Sequence, residues 1–378
     1  MKQAMTLATL AATIAEQGAT RRDWRAAASV LSMAHDGTAH RLQLAGKDEV
    51  TDLGLLDTAH SQIANRLKIP KKYYDRMRVE QPQLLTENVN GWLQHPSEDR
   101  KFLVRSLAGN ARALLSNRYR PLDNHAMLEA ILPTLMVEMN EGVPEDRQLR
   151  VESCNVDESS LHLKVVSPKI EGEIRKGDVI QFGAVFGNSE IGLRSLFAEP
   201  LLYRLVCLNG MVLKDRGMRR SHVGGKNTFG ELDLTEEFYT DETRAADDAA
   251  LWLKVRDTVR GMFTQQAFDK LLVHWRETTL QEINHREPEK VIEEVTKKFD
   301  LGMGEQRGVL RHLLMGGDMT RYGLSNAITA ASQDGDVTYQ RASELERIGG
   351  RLVELPKAAW DRIAQVERAT SMLVPALN

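Results

Sequence analysis

Polar and apolar positions alternate through "VLSMAHDGTAHRLQL" (Val30–Leu44), with one break at Asp36-Gly37. A period of two on either side of an Asp-Gly pair predicts two strands and a tight hairpin turn. The spacing becomes helical in "TDLGLLDTAHSQIANRLKIP", with Thr51 or Asp52 as the cap and Pro70 as the stop. "KKYYDRM" starts a further short helix. Lys101–Asn124 reads as a strand, a turn at Gly109-Asn110, a second strand and a loop set by Pro121. Asp123 or Asn124 caps the helix that opens "HAMLEAIL".

From Leu149 the pattern is that of strands. "LRVESCNV" and "SLHLKVVS" alternate across a turn at Asp157-Glu158, and "GDVIQFGAVFGNSEIG" follows. Leu201–Val212 reads as a core strand with Cys207 buried and Asn209-Gly210 making a turn, since both tolerate positive φ. Beyond Gly230 the chain turns acidic, then helical. Leu251, Val255, Val259 and Met262 share one helical face, and "EKVIEEVTKKFD", "GEQRGVLRHLLM" and "RASELERIGGRLVEL" fit further helices. The expected fold class is α+β, in three regions. Residues 1–145 form a mixed region, 146–230 an antiparallel β-rich centre, and 231–378 a mainly helical region.

At 378 residues the chain is long enough for two or three domains and a sizeable core. Its two cysteines, Cys154 and Cys207, argue against a disulfide scaffold and fit a reducing cytoplasm. The first residues lack the continuous apolar segment of a secretory signal, and no run suggests a membrane span. The net charge of −3 alone does not suggest a nucleic-acid binder.

The local distribution of charge alters that picture. Lys101–Arg120 holds Lys101, Arg105, Arg112, Arg118 and Arg120 and no acid. Arg204–Lys226 holds Arg204, Lys214, Arg216, Arg219, Arg220 and Lys226 against Asp215. One reading is a phosphate-tracking groove, with Tyr119, Tyr203 or Phe229 offering stacking faces. In that reading Arg105, Arg112, Arg118, Tyr119, Arg120, Arg194, Arg204, Lys214, Arg216, Arg219, Arg220, His222 and Lys226 are the candidate contacts. The other reading is of solvated faces, or of ion-pair partners for the acidic stretch Glu231–Asp248. Whether Arg194 and Arg204 point outward to phosphate or inward to a carboxylate stays open.

Enzyme motifs are incomplete. "RRSHVGGKN" lacks the first glycine of a phosphate-binding loop, where Arg220 stands, and has Asn227 in place of its Ser or Thr. "GNSEI" misses the second glycine of a nucleophile elbow, leaving Ser189 as a turn or capping residue. Cys154, His162, Cys207 and His222 lack metal-ligand spacing. Asp178 and Glu190 are the remaining pair for a metal-dependent nuclease. No catalytic residue, cofactor or metal is assigned.

"RLKIPKKYYDRM", "ARALLSNRYRPLDN", "FGNSEIGLRSL", "YRLVCLNGMV" and "RRSHVGG" together resemble a domain-of-unknown-function family of bacteriophages, prophages and conjugative plasmids. The match covers about Thr51 to Gly225. The resemblance implies an origin on mobile DNA and a cytoplasmic location, and it carries over no catalytic residues. The strand-rich centre followed by a helix also has a coarse likeness to the core of phage single-strand annealing proteins. The leading expectation is a non-catalytic protein of DNA metabolism that binds or anneals single strands and self-associates. The alternative is an assembly or anti-defence factor that meets a host protein.

Overall fold

The structure is a computed structural model that describes residues 5–95, 100–206, 209–213, 217–222 and 240–364. It opens with α1 (Leu7–Thr20), capped by the Thr6 hydroxyl, and β1 (Arg22–Ala27). β2 (Leu31–His35) and β3 (His40–Ala45) form the expected hairpin. Asp36 Oδ1 accepts from the Thr38 and Ala39 amides, and Gly37 takes φ +95°. The chain continues through β4 (Val50–Leu55), α2 (Asp57–Arg66), α3 (Lys71–Glu80) and α4 (Pro82–Leu93). β5 (Lys101–Leu107), β6 (Asn110–Ser116) and α5 (Asn124–Met136) follow, near the expected bounds. The first sheet has the order β1-β5-β6-β4-β3-β2, with β4 and β6 parallel. Helices α2–α4 bury Ile63, Tyr74, Leu85 and Val89 with Met33, Leu42 and Leu53 of the strands.

One expectation fails here. Val50–Leu55 is a strand, and the helix starts at Asp57 with Leu56 as its N-cap. Local spacing could not report the pairing of Leu44 with Thr51, or the parallel contact of Gly54 with Asn110. Tertiary pairing overrides a short periodic signal.

The central sheet is made of β7 (Arg150–Val156), β8 (Leu161–Glu173), β9 (Val179–Asn188), β10 (Leu196–Arg204), β11 (Asn209–Val212) and β12 (Met218–Arg220). Its order is β11-β10-β9-β8-β7, and β12 pairs with the first part of β10. All its pairings are antiparallel. The expected single strand Leu201–Val212 is two strands. The chain reverses after Arg204, so that Tyr203 faces Gly210 and Arg204 faces Asn209 across a hairpin. Asn209-Gly210 is therefore strand, while Cys207 lies outside the described residues. Apolar residues on both sides of the reversal left no alternation to mark it.

The last part contains α6 (Asp241–Met262), α7 (Gln265–Thr278), α8 (Pro288–Phe299), α9 (Met303–Gly316), α10 (Arg321–Ala331), α11 (Tyr339–Val353) and α12 (Lys357–Ala364). The fold is α+β. One face of the central sheet buries Leu163, Val165, Ala184 and Phe186 under α1, α5 and α6. The contributing side chains include Leu10, Ile131 and Val255, and each such aliphatic burial stabilises by roughly 1.5–3 kcal/mol. Phe268, Leu272 and Trp275 of α7 cover Phe182 and Leu202. Helix α11 crosses β11 so closely that a Cβ at Gly350 would stand 2.1 Å from the Val212 carbonyl oxygen. Glycine is what permits that approach, and the approach carries Glu344 and Arg347 to the sheet surface. No helix among the described residues is long and apolar enough to cross a membrane.

Candidate functional site

The turn Ser189–Gly192, between β9 and β10, is the meeting point of the three regions. Ser189 Oγ donates to the Ser159 carbonyl at 2.6 Å and accepts from the Leu193 amide at 3.2 Å. It is a turn-holding residue, as its incomplete motif implied. Gly192 takes φ +79°, which few other residues tolerate. Helix α2 and the segment after β6 grip the turn from outside. Tyr119 Oη donates to the Ser189 carbonyl at 3.0 Å, and Gln62 Nε2 donates to the Ile191 carbonyl at 2.8 Å.

On one side of the turn lies a buried ionic network. Glu190 takes Arg112 on Oε2 at 2.5 Å and the Asn124 amide on Oε1 at 2.7 Å, capping α5 from another part of the chain. Arg105 donates to the Glu190 carbonyl, to Asp23 and to Asp123 at 2.7–3.0 Å. Arg21 closes the set on Asp123 at 2.9 Å. Three guanidiniums thus meet three carboxylates. Arg105 and Arg112 are 0% and 1% exposed, which removes them from any binding surface. Their residue type suggested phosphate contacts, but burial turned them inward to acids from distant strands.

Other candidates are also engaged within the chain. Arg204 points inward and makes a two-pronged bond to Asp178 at 2.6 and 3.0 Å, which Tyr322 Oη joins at 2.8 Å. Asp178 and Glu190 therefore do not form a shared metal site, and no group of three or more potential ligands gathers among the described residues. Arg120 pairs with Asp247 and Asp248 of α6, so part of the acidic stretch does neutralise part of the basic one. Tyr119 and Tyr203 are buried, which rules out both as stacking platforms. Arg118 and Arg220 are half-buried, outside the lining of the cleft described next. Lys214, Arg216, Lys226 and Phe229 lie outside the described residues.

On the other side of the turn is a cleft of about 490 Å³. Arg66 enters it from the end of α2, Arg194 from the turn, Arg219 from β12 and Arg347 from α11. The two basic segments do meet at its wall. The Tyr119 and His222 rings stack at 5.0 Å between centroids, and the Arg120 amide donates to the His222 carbonyl at 2.7 Å. Glu199, 1% exposed, receives Arg219 on one oxygen and Arg347 on the other, the latter at 3.1 Å. Both guanidiniums lie near the Phe197 ring, at 5.5 and 4.6 Å from its centroid. Arg194 is only loosely held by Glu344, at 3.7 Å. Its Nη1 lies 3.2 Å from His162 Nε2, which must accept because a guanidinium has no lone pair to offer.

The cleft is short of negative charge. Arg66 has no acid partner among the described residues, and burial and Arg100 push its pKa down. Burial and Arg347 do the same to Arg194. Buried Arg347 Nη2 has no hydrogen-bond partner. Burial and the surrounding cations hold His162 well below its ordinary pKa and therefore neutral. Behind this wall, Lys164 is matched by Glu346 at 2.6 Å, both of them buried, so it adds no net charge. Four guanidiniums face two carboxylates.

No family model, curated protein or solved structure matches the chain.

The cleft rests on its own geometry, therefore. Sequence reasoning found Arg194, Arg219 and His222 but missed Arg66, Arg347, Glu199 and Glu344. The missed residues look like ordinary charges on amphipathic elements. The one available signal was Glu346, a carboxylate on the apolar face of α11, which marks that helix as packed against something polar.

Proposed function

We propose that the protein binds nucleic acid without cleaving it, taking phosphate of a single strand into the Arg66–Arg194–Arg219–Arg347 cleft. The observation that carries this reading is the surplus of two positive charges that converge there from three parts of the chain. A guanidinium remains charged at any working pH, and a bound phosphate would supply the missing acceptors. The recess favours a single strand, because a duplex presents its phosphates on a convex surface too wide to enter. The reading agrees with the mobile-DNA family that the sequence resembles. It places the protein in the cytoplasm, with further copies of the chain as neighbours along a strand.

Fluorescence anisotropy with labelled oligothymidine tests it across a salt series. Affinity should fall linearly on a log–log plot, and Arg66→Ala should lower the slope by about 0.7, the contribution of one single-strand phosphate contact. Binding that ignores salt, or that is equal for the duplex, would refute the reading. Assembly measured by light scattering that ignores DNA altogether would favour a protein-interaction role instead.

A further inference from the structure

We infer that the cleft is built for the end of a strand: its ligand is a terminal phosphomonoester rather than a phosphodiester within the chain. The inference rests on the nucleic-acid reading above and narrows it. Its first support is charge. A phosphodiester carries one negative charge and two free oxygens, whereas a phosphomonoester carries about −1.5 to −2 and three acceptor oxygens at neutral pH. The surplus of two guanidiniums matches the second and exceeds the first.

The second support is the arrangement of the cations. A surface that follows a backbone needs a row of them, spaced to meet successive phosphates. Four of the other candidate arginines are already held by acids. Arg105 is on Asp23 and Asp123, Arg112 on Glu190, Arg120 on Asp247 and Asp248, and Arg204 on Asp178. Arg66, Arg194, Arg219 and Arg347, with only Glu199 and Glu344 against them, gather at one point. At about 490 Å³ the cleft lies in the range of sites that hold one small ligand, here a terminal nucleotide.

The third support is hydrogen-bonding capacity. Arg66 lacks an acid partner, Arg347 Nη2 has no partner, and Arg194 holds its carboxylate at only 3.7 Å. Arg66 and Arg194, from α2 and the turn, face the cavity with spare donors, and Arg347 lines it from α11. Three oxygens on one phosphorus can receive them together.

The test uses the full chain and one internally labelled oligothymidine in three forms: 5′-phosphate, 3′-phosphate, and hydroxyl at both ends. One phosphorylated form should bind at least about tenfold more tightly than the hydroxyl form, as one further charge-assisted hydrogen bond allows. The paired substitution Arg66→Ala with Arg347→Ala should abolish that preference and leave the weaker, end-independent binding. Its circular dichroism spectrum should match that of the parent chain. The form that binds more tightly identifies which end is held. Equal binding of all three overturns the end-specific inference and leaves the nucleic-acid reading standing. A preference that survives the double substitution also overturns it. Failure of all three to bind overturns both.

Discussion

On one side of the Ser189–Gly192 turn, Arg21, Arg105 and Arg112 face Asp23, Asp123 and Glu190. On the other, Arg66, Arg194, Arg219 and Arg347 face Glu199 and Glu344. The two sets use the same residue type and flank the same four residues of chain. The first is balanced, with Arg105, Arg112 and Glu190 buried and Arg21, Asp23 and Asp123 part-exposed, and its geometry joins β1, β5, β6 and α5 to the central sheet. The second has more cations than anions and opens to solvent. A buried charge is tolerated only where it is paired. Arg105 and Arg112 are therefore structural because both are buried and both are paired with carboxylates. The cleft arginines are part-exposed and fewer carboxylates face them, and water or a ligand must complete them.

The sharpest way to break this comparison is to unbalance the first network. Glu190→Ala would leave Arg112 without its carboxylate and remove the acceptor for the Asn124 amide. A loss of about 3–5 kcal/mol is expected, as for other broken buried pairs, read as a fall in the urea midpoint. A loss under 1 kcal/mol would mean that this network is no more structural than the cleft.

Acid offers a second perturbation, and its main target, His60, lies outside both arginine sets. His60 is 1% exposed with Nδ1 2.8 Å from Tyr74 Oη, and burial, then Arg78 and His40, lower its pKa to about 3. A histidine depressed in the folded state stabilises the fold above its unfolded value near 6.5, and that stability is lost as pH falls toward 3. Between pH 6.5 and 5 the expected loss from this group is about 2 kcal/mol. His40, His162 and His222 shift in the same direction and add to it. Denaturant unfolding at the two pH values checks this, and His60→Gln should flatten the dependence.

Gly350→Ala addresses how the cleft is assembled. The new methyl would meet the Val212 carbonyl oxygen, lifting α11 and with it Arg347 and Glu344. We expect a loss of roughly 1–3 kcal/mol, the usual cost of overpacking, together with weakened oligonucleotide binding. Wild-type affinity in this variant would show that the seating of α11 does not position the cleft.

The smallest effects on stability should come from the cleft itself. Arg66→Ala should change it by no more than about 0.5 kcal/mol, because no internal partner is lost. Glu344→Gln should cost under about 1 kcal/mol, since its 3.7 Å pair with Arg194 and its 2.8 Å pair with Arg341 are both part-exposed and Arg341 keeps Glu305. Removing a negative charge from the lining should tighten binding of a phosphorylated oligonucleotide, an anisotropy measurement. The contrast between these two variants and Glu190→Ala is the comparison reduced to numbers.

Several elements were legible because they depend on neighbours in sequence. The Asp36-Gly37 hairpin, the β5–β6 pair, the β7–β8 pair and the face of α6 all follow from local period and turn chemistry. Val50–Leu55 and the reversal after Arg204 were misread because strand pairing is made with distant partners. The same distinction governs the site. Arg118–Arg120 and Arg219–His222 stood out as basic stretches, and they do touch.

The sequence by itself determined the α+β class, several hairpins and helices, and the presence of two basic segments, because propensity, period and composition are local. Only the tertiary structure decided which arginines are free to act. Arg112 and Arg194 are the same side chain, and nothing within a few residues of either tells them apart. Glu190 and Asp123, gathered by folding, close the network around Arg112 and Arg105. Glu199 and Glu344 are too few to close the cleft around Arg194 and its neighbours. Charge balance is a property of residues brought together in space, so the fold sets it.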